Sequence, residues 1–248
     1  MSSDVEIAVG GRGRSRTTHC ARPVVGEKIF PPAMAPPIRA LLWDNDGVLV
    51  DTEGLFFQAS REVLAFASID LTTSQYVELF LVRNEGMQHF ARELGGVAGV
   101  ERLRAFRDVR YSELLRGADV SIEGASDVLR AVAPHYRMAM VTSSAREHLE
   151  IAHERTGVLH YFELLVAQGD YARSKPHPDP YEEAVRRLGV VPEECLAIED
   201  SRRGLLAAKA AGLRCWVIPK GLSGNASLIE ADRVLGGLGE LPAALGVL

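Results

Sequence analysis

The sequence predicts an α/β fold with a central parallel sheet and a helical insertion, and three observations support it. From residue 38 onward, short and nearly all-apolar runs alternate with helical segments, which is typical of parallel strands covered by helices on both faces. No convincing strand interrupts residues 55–120. Polar residues follow the strand-like runs, as expected where strand ends form a site. Together these indicate a Rossmann-like, three-layer sandwich with an inserted all-helical cap domain.

Composition limits the class of protein. The 248 residues are 47% hydrophobic and 25% charged, with a formal net charge of -5, as in ordinary soluble globular proteins. The acidic balance argues against a nucleic-acid-binding protein, and no apolar run approaches the roughly 20 residues that span a bilayer. Cys20, Cys195 and Cys215 fit neither a zinc pattern nor a disulfide framework. We therefore expect a cytoplasmic protein with no nucleic-acid partner and no membrane partner.

Residues 1–37 differ from the rest of the chain. Their glycines, arginines and prolines give no helical or strand period, and no apolar segment marks a secretory signal. We expect a disordered N-terminal tail, with Met34 as an alternative translation start. Beyond the tail, we expect 38–54 and 121–248 to form the α/β core and 55–120 to form the helical cap.

The core is predicted from strand-like runs and the helices between them. The helix containing Tyr181 and Leu188 has apolar residues at i, i+3, i+4 and i+7, the spacing of one helix face. It closes at Gly189, as helix capping favours. Further crossover helices are expected at 146–156 and 201–211. The expected strands are Ala40–Trp43, Met138–Val141, Leu164–Ala167, Leu196–Ile198 and Cys215–Ile218.

The cap is predicted from helical periodicity. Leu55, Ala59, Val63 and Phe66 recur at a spacing that places them along one face of a helix. Ligands of open α/β sheets bind at the carboxyl ends of the strands, so a cap inserted after the first strand should lie above that edge. Further helical segments are expected at Gln75–Leu81, Gly86–Leu94 and Glu101–Leu115.

Two aspartates follow the first strand. Asp44 and Asp46 stand at i and i+2 before Gly47, and alternation along an extended chain places both carboxylates on one side of the backbone. Such carboxylates repel each other unless a cation or a shared proton relieves them. Mg²⁺ prefers oxygen ligands and also attracts phosphate, so the pair indicates phosphoryl chemistry. The alternative is an acidic turn after a buried strand.

Three later segments add candidate site residues. Thr142 and Ser143 lead from a strand into a helix, where they can hold a phosphate oxygen or only cap the helix. Lys175 stands in a proline-rich loop, either as a compact charge for phosphate or as a surface lysine. Glu199 and Asp200 follow a buried strand, where they can bind a metal ion or only favour the next helix dipole.

These four segments, in this order, resemble the four motifs of the haloacid dehalogenase superfamily, in particular subfamily I with a helical type 1 cap, the phosphoglycolate phosphatase and β-phosphoglucomutase-like branch. The resemblance implies a Mg²⁺-dependent phosphatase that forms an aspartyl-phosphate. It implies that Asp44 is the nucleophile and Asp46 the general acid and base. The implied metal ligands are Asp44, Asp46 through its backbone carbonyl, Asp200, and Glu199 through water.

The same resemblance implies that Thr142, Ser143 and Lys175 bind the phosphate. The expected substrate is a small phosphate ester, either a sugar phosphate or a phosphoglycolate-like acid. Glu53 and Arg83 are the candidate substrate contacts of the cap. Capped members of this kind are monomers by default, so we expect a monomer.

Two alternatives to a phosphatase stay open. A β-phosphoglucomutase-like enzyme would carry a histidine where this chain has Phe56, which disfavours a mutase. A non-catalytic, ligand-sensing member of the fold has no feature in its favour, because every motif residue needed for turnover is present. A dehalogenase is disfavoured too, since that branch lacks the second aspartate, present here as Asp46. A phosphatase is the preferred prediction.

Overall fold

A parallel sheet forms the centre of the fold, as predicted, and it has six strands where five were expected. The computed structural model describes residues 36–221 and 227–247. The strand order is β3-β2-β1-β4-β5-β6. All five expected strands are present, and the sixth is a two-residue strand too short to carry a sequence period. The strands are β1 (Ala40–Trp43), β2 (Arg137–Ala145), β3 (Leu164–Gln168), β4 (Cys195–Glu199), β5 (Arg214–Val217) and β6 (Arg233–Val234).

Strand β1 lies in the middle of the sheet and is fully buried. It pairs with β2 on one side and with β4 on the other, in parallel, so that Leu41 lies between Met138 and Leu196. The carboxyl ends of β1, β2 and β4 are therefore neighbours. The polar segments that follow these three strands meet at one edge of the sheet.

Helices cover both faces of the sheet. Ala40 and Leu42 of β1 pack in the cluster formed with α6 (Asp179–Leu188) and α7 (Arg202–Ala210). Leu41 and Trp43 pack on the opposite face, against the remaining core helices. The strict alternation of β1 residues between two apolar layers explains its uniformly apolar sequence. The helices of the second face are α4 (Ala125–Val132), α5 (Arg146–His153) and α8 (Leu241–Leu245).

The segment between β1 and α4 is helical and has an apolar cluster of its own. Val63 of the first helix packs there with Tyr76 and Phe80. Phe66 departs from the expected apolar face: the first helix ends at Ala65, and the Phe66 side chain is 89% exposed. The elements are α1 (Glu53–Ala65), α2 (Thr73–Tyr76), a π-helical turn (Val77–Val82), a 3₁₀ turn (Gly86–Phe90) and α3 (Val97–Gly117).

No helix within the described part of the chain is long and apolar enough to cross a membrane. Cys195 and Cys215 are free and buried. The tail expected over residues 1–37 falls outside the described residues except for Pro36 and Pro37, and so do Cys20 and Met34.

Candidate active site

Asp44 stands directly after the central strand. Its backbone N–H donates to the carbonyl of Ile198, 2.9 Å away, which continues the pairing of β1 with β4. The chain then turns sharply, with Gly47 at a φ of 86° and its N–H donating to the Val50 carbonyl. The Asp44 side chain is buried at this end of the sheet. The strand and its turn thus hold a carboxylate at a fixed place.

Lys175 joins three of the segments that the sequence singles out. Its Nζ lies 2.8 Å from Oδ1 of Asp44 and 2.6 Å from Oε1 of Glu199. It also donates to the carbonyl of Val141 in β2, at 2.9 Å. The lysine is only 3% exposed, so the proline-rich loop delivers it to the interior of the site. The structure thus brings together the predicted residues Asp44, Lys175 and Glu199.

Asp200 completes a cluster of carboxylates. One oxygen from each of Asp44, Glu199 and Asp200 lies within 4.8 Å of the others. Burial raises the pKa of Asp44 to about 7, with repulsion from Glu199 adding to it and Lys175 opposing it. Burial and the Asp44 charge likewise raise the pKa of Asp200 well above its usual value. The pKa of Lys175 is raised despite burial, because Asp44 and Glu199 attract its proton.

The charge of this cluster suits a divalent cation. Three carboxylates face one ammonium, which leaves an excess of two negative charges when all are ionised. Carboxylate oxygens are the ligands that Mg²⁺ prefers. The donor set and its charge therefore fit a divalent cation.

Two glycines allow the carboxylates to approach the backbone. A side-chain carbon added at Gly47 would collide with the Asp200 carboxylate, and one added at Gly204 would collide with the Glu199 carboxylate. The turn after β1 and the start of α7 are therefore packed directly against the two acidic residues that follow each other at the end of β4.

The Asp46 side chain is not part of the three-carboxylate cluster and is bonded to hydroxyl groups. Thr52 donates to Oδ1 at 2.6 Å, and Thr142 and Ser144 both donate to Oδ2 at 2.9 Å. Thr142 is a predicted phosphate-binding residue, whereas Thr52 and Ser144 are not in the predicted set. Ser144 has a detectable signal, since it stands two residues after Thr142 on the same side of the strand. Thr52 has none.

The predicted phosphate-binding segment is tied to the lysine loop. Ser143 Oγ accepts a hydrogen bond from Ser174 Oγ at 2.9 Å, and Ser174 directly precedes Lys175. The Thr142 carbonyl accepts from the Tyr171 hydroxyl at 2.8 Å. These bonds connect the end of β2 with the loop after β3. They therefore fix the Thr142 and Ser143 hydroxyls relative to the Lys175 ammonium.

Two close donors meet at Oε1 of the Glu199 side chain. Besides Lys175, the Tyr181 hydroxyl of α6 donates to Oε1 of Glu199 at 2.5 Å. Glu199 is fully buried, and burial raises the pKa of Tyr181, which keeps its hydroxyl protonated as a donor. Glu199 therefore orients the lysine in this structure, and its role as a metal ligand through water stays a prediction.

The two cap candidates have different surroundings. Glu53 begins α1 and lies against Gly221, and its charge contributes to the raised pKa of Asp200. Arg83 is exposed and forms an ion pair with Glu85. Glu53 is thus close to the acidic cluster. Arg83 lies in a loop, and the residue that follows it contacts helix α7.

That next residue is Asn84, at a φ of 55°. Its Oδ1 accepts a hydrogen bond from Nη1 of Arg203 in α7, at 2.9 Å. Because α7 starts just after Asp200, this contact brings the helical insertion to the same side of the sheet as the site. Arg203 is not in the predicted set, and no local sequence pattern reveals a contact across this separation.

The chain is similar to several known proteins. A family model for haloacid dehalogenase-like hydrolases matches residues 38–212. Protein CbbY of Rhodobacter capsulatus is 32% identical over 79% of this chain and 91% of its own. The phosphorylated carbohydrates phosphatase of Thermotoga maritima is 31% identical over 79% of this chain and 93% of its own. A solved structure of mutant CbbY from Rhodobacter sphaeroides with xylulose-(1,5)bisphosphate is 30% identical, with a TM-score of 0.74 over 82% of this chain and 96% of that one.

Proposed function

The chain belongs to the haloacid dehalogenase-like hydrolases and is a phosphatase of that family, and we propose that it hydrolyses a small phosphorylated sugar through an aspartyl-phosphate on Asp44, with Mg²⁺ as cofactor. One observation carries the proposal: Lys175, Asp44 and the Glu199–Asp200 pair, from three separate segments, meet at the end of β1. An acidic nucleophile can approach an anionic ester only where cations offset the repulsion.

The substrate class is proposed from the relatives. CbbY of Rhodobacter sphaeroides binds a sugar bisphosphate in its solved structure, and the Thermotoga maritima relative is a phosphatase of phosphorylated carbohydrates. We assign residues 55–120 as the cap that selects the sugar. Glu53 and Arg83 are its proposed contacts, Glu53 from its place beside the site and Arg83 from its place in the loop that touches α7.

The chemistry divides between two carboxylates. Asp44 attacks the phosphorus and forms an acyl phosphate, while the bond to the leaving alkoxide breaks. Asp46 donates a proton to that alkoxide and then takes one from the water that hydrolyses the intermediate. The surroundings of the two side chains support these separate roles. Both residues follow β1, but Asp44 is bonded to Lys175, whereas Asp46 is bonded to hydroxyl groups.

Thr142, Ser143 and Lys175 are proposed to hold the transferring phosphoryl group. The ammonium offsets charge on both Asp44 and the phosphate oxygens, and hydroxyl and backbone N–H groups stabilise the equatorial oxygens during transfer. The Thr142 hydroxyl donates to Asp46 in this structure. We propose that it turns to a phosphate oxygen when the ester binds, which leaves Asp46 free to meet the alkoxide.

Mg²⁺ would be held by Asp44, Asp200 and the backbone carbonyl of Asp46, with Glu199 contributing through water. When bound, it supplies positive charge that offsets the repulsion between the nucleophile and the phosphate. The carboxylates must be ionised to bind the metal ion. Burial raises the pKa values of Asp44 and Asp200 and so opposes their ionisation when no metal ion is bound.

Mg²⁺ is expected to stabilise the protein more at about pH 8 than at about pH 5.5. The pKa of Asp44 is raised to about 7 without metal, so the carboxyl is protonated at the lower pH and a proton must leave before a ligand forms. Thermal unfolding with MgCl₂ and with EDTA, at both pH values, measures the effect. Equal shifts of the unfolding midpoint at the two pH values would contradict the assigned ligands.

Gly47→Ala is expected to weaken Mg²⁺ binding at least about tenfold and to slow phosphate release. The new methyl group collides with the Asp200 carboxylate, and the positive φ of 86° adds backbone strain of about 1–2 kcal/mol. Calorimetric titration with MgCl₂ measures the change. Gly117→Ala is the matched control, because a Cβ there meets no atom within 4 Å, and it should bind Mg²⁺ like the wild type.

Phe56 disfavours the mutase alternative. Its ring lies edge-on to Tyr111, with centroids 5.2 Å apart, and under the guanidinium of Arg107 at 4.6 Å. A phenylalanine packed in this way cannot donate or accept a proton at the position where the mutase branch carries histidine. Hydrolysis by water is therefore the proposed fate of the aspartyl-phosphate.

The function is tested by measuring phosphate release from p-nitrophenyl phosphate and from a panel of phosphorylated sugars, with Mg²⁺ and with EDTA. We expect Mg²⁺-dependent release, fastest with one of the sugars. Conversion of glucose 1-phosphate in the presence of its bisphosphate, without phosphate release, would instead identify a mutase. No turnover of any substrate would favour a ligand-sensing member of the fold.

A further inference from the structure

A buried side-chain pair links the nucleophile turn to the helix after the phosphate-binding segment. Oδ1 of Asn45 lies 2.7 Å from Nε2 of His153, and Nδ1 of the same ring lies 2.7 Å from the Thr156 hydroxyl. Asn45 is 1% exposed and His153 is 3% exposed. Both residues are outside the set that carries the proposed chemistry.

The protonation of the ring follows from its surroundings. Burial lowers the pKa of His153 to about 4, although the Asp46 charge opposes the shift, so the ring is neutral at neutral pH. A neutral imidazole has one donor nitrogen and one acceptor nitrogen. Because Oδ1 of Asn45 can only accept, Nε2–H donates to it, and Nδ1 accepts from the Thr156 hydroxyl.

The amide of Asn45 is only half satisfied. Its Nδ2 has no hydrogen-bond partner within the described residues, and an apolar side chain of similar size would avoid that cost. A buried polar group kept in this state calls for an explanation. Stability alone therefore does not explain why an asparagine bonded to His153 occupies this buried position.

The position of each partner gives the explanation. Asn45 stands between Asp44 and Asp46, and its carbonyl closes the turn by accepting from the N–H groups of Val48, Leu49 and Val50. His153 ends α5, which begins at Arg146, straight after the segment of Thr142 to Ala145 at the end of β2. The bond therefore joins two elements. One is the turn that contains Asp44, and the other is α5, the helix that directly follows the proposed phosphate-binding segment.

We propose that Asn45 and His153 are a positioning pair that fixes the Asp44 carboxylate relative to the hydroxyl groups at the end of β2, so that the nucleophile meets the phosphorus in line. The inference rests on the proposed function. Without the bond, the turn loses its direct side-chain connection to the end of α5. Displacements of about 1 Å at a reacting centre can lower rates about 10²-fold.

The test compares steady-state hydrolysis of p-nitrophenyl phosphate with Mg²⁺ in four variants. His153→Leu and Asn45→Leu are each expected to lower kcat about 10- to 100-fold, with KM within about twofold. His153→Gln, whose amide N–H reaches toward Asn45, should recover most of the lost kcat. The double variant Asn45→Leu/His153→Leu should fall no further than either single variant, since both remove one interaction.

A control separates positioning from general destabilisation. Leu129→Ala removes apolar contacts of α4, in the same apolar cluster as Leu149 of α5. It should lower the unfolding midpoint and keep kcat. Unchanged kcat in folded His153→Leu, or a His153→Gln variant no better than His153→Leu, overturns the proposal.

A second readout keeps this inference distinct from the proposed function. Trifluoroberyllate attaches to an aspartate in place of a phosphoryl group and needs no turnover, and fluorine NMR with Mg²⁺ measures its affinity. If the wild type releases no phosphate but binds trifluoroberyllate, the proposed hydrolysis fails, and weaker binding by His153→Leu than by His153→Gln still supports the pair. Absence of both phosphate release and binding overturns both proposals.

Discussion

Asp44→Asn is expected to abolish turnover, lowering kcat for p-nitrophenyl phosphate by at least about 10³-fold. The amide is too weak a nucleophile to form the acyl phosphate. The variant should fold at least as well as the wild type in EDTA at about pH 8. Burial raises the pKa of Asp44 from 3.8 to about 7, so its contribution to stability is full below pH 3.8 and is lost as the pH rises through about 7. An uncharged amide avoids that loss.

Phosphate release and thermal unfolding measure the two parts of this prediction. Asp70→Asn is the matched control, because Asp70 is an exposed carboxylate of the helical insertion and its substitution should leave kcat unchanged. Turnover by Asp44→Asn at more than about a hundredth of the wild-type rate would falsify the covalent mechanism.

Lys175→Met is expected to lower kcat by at least about 10³-fold and to destabilise the protein at neutral pH. The ammonium is bonded to Asp44, Glu199 and the Val141 carbonyl, and it is almost fully buried. Breaking such a buried pair costs about 3–5 kcal/mol, because the remaining carboxylates repel one another without compensation.

The pH dependence of this loss has a definite sign. Removal of Lys175 raises the pKa values of Asp44 and Asp200 further above their ordinary values, so the penalty should shrink as the pH falls and these groups bind protons. Chemical unfolding at about pH 5 and about pH 8, with EDTA, measures the difference. Lys209→Met is the control, since Lys209 forms a partly exposed pair with Asp232 of the kind that contributes about 0–1 kcal/mol. Equal destabilisation by both variants would argue against a charge-balancing role.

The residues with a charge or hydroxyl at a strand end could be predicted from the sequence. Asp44, Thr142, Glu199 and Asp200 follow apolar runs that have the length and composition of buried parallel strands. Parallel strands bring such ends to one edge, so the sequence order of the motifs suffices to bring them near each other. Lys175 was predictable too, since its prolines leave the loop few conformations.

Contacts between distant segments could not be predicted. Asn45 meets His153, and Asn84 meets Arg203, because the packing of whole helices on the sheet brings them together, and no local period encodes that packing. The direction of the Asp46 side chain likewise depends on Thr52 and the end of β2. Phe66 shows the converse failure: it continues an apolar period, but the helix stops one residue earlier.

The central place of β1 has a consequence for how enzymes with this architecture diversify. Asp44, the proposed nucleophile, follows a strand that pairs with β2 on one side and with β4 on the other, so it cannot be moved without disturbing two neighbours at once. The inserted helices are not held between strands in this way, because they all lie in the one connection that runs from β1 to β2. Mutation within the proposed cap can therefore change the molecule that is admitted, while the proposed reaction is inherited intact.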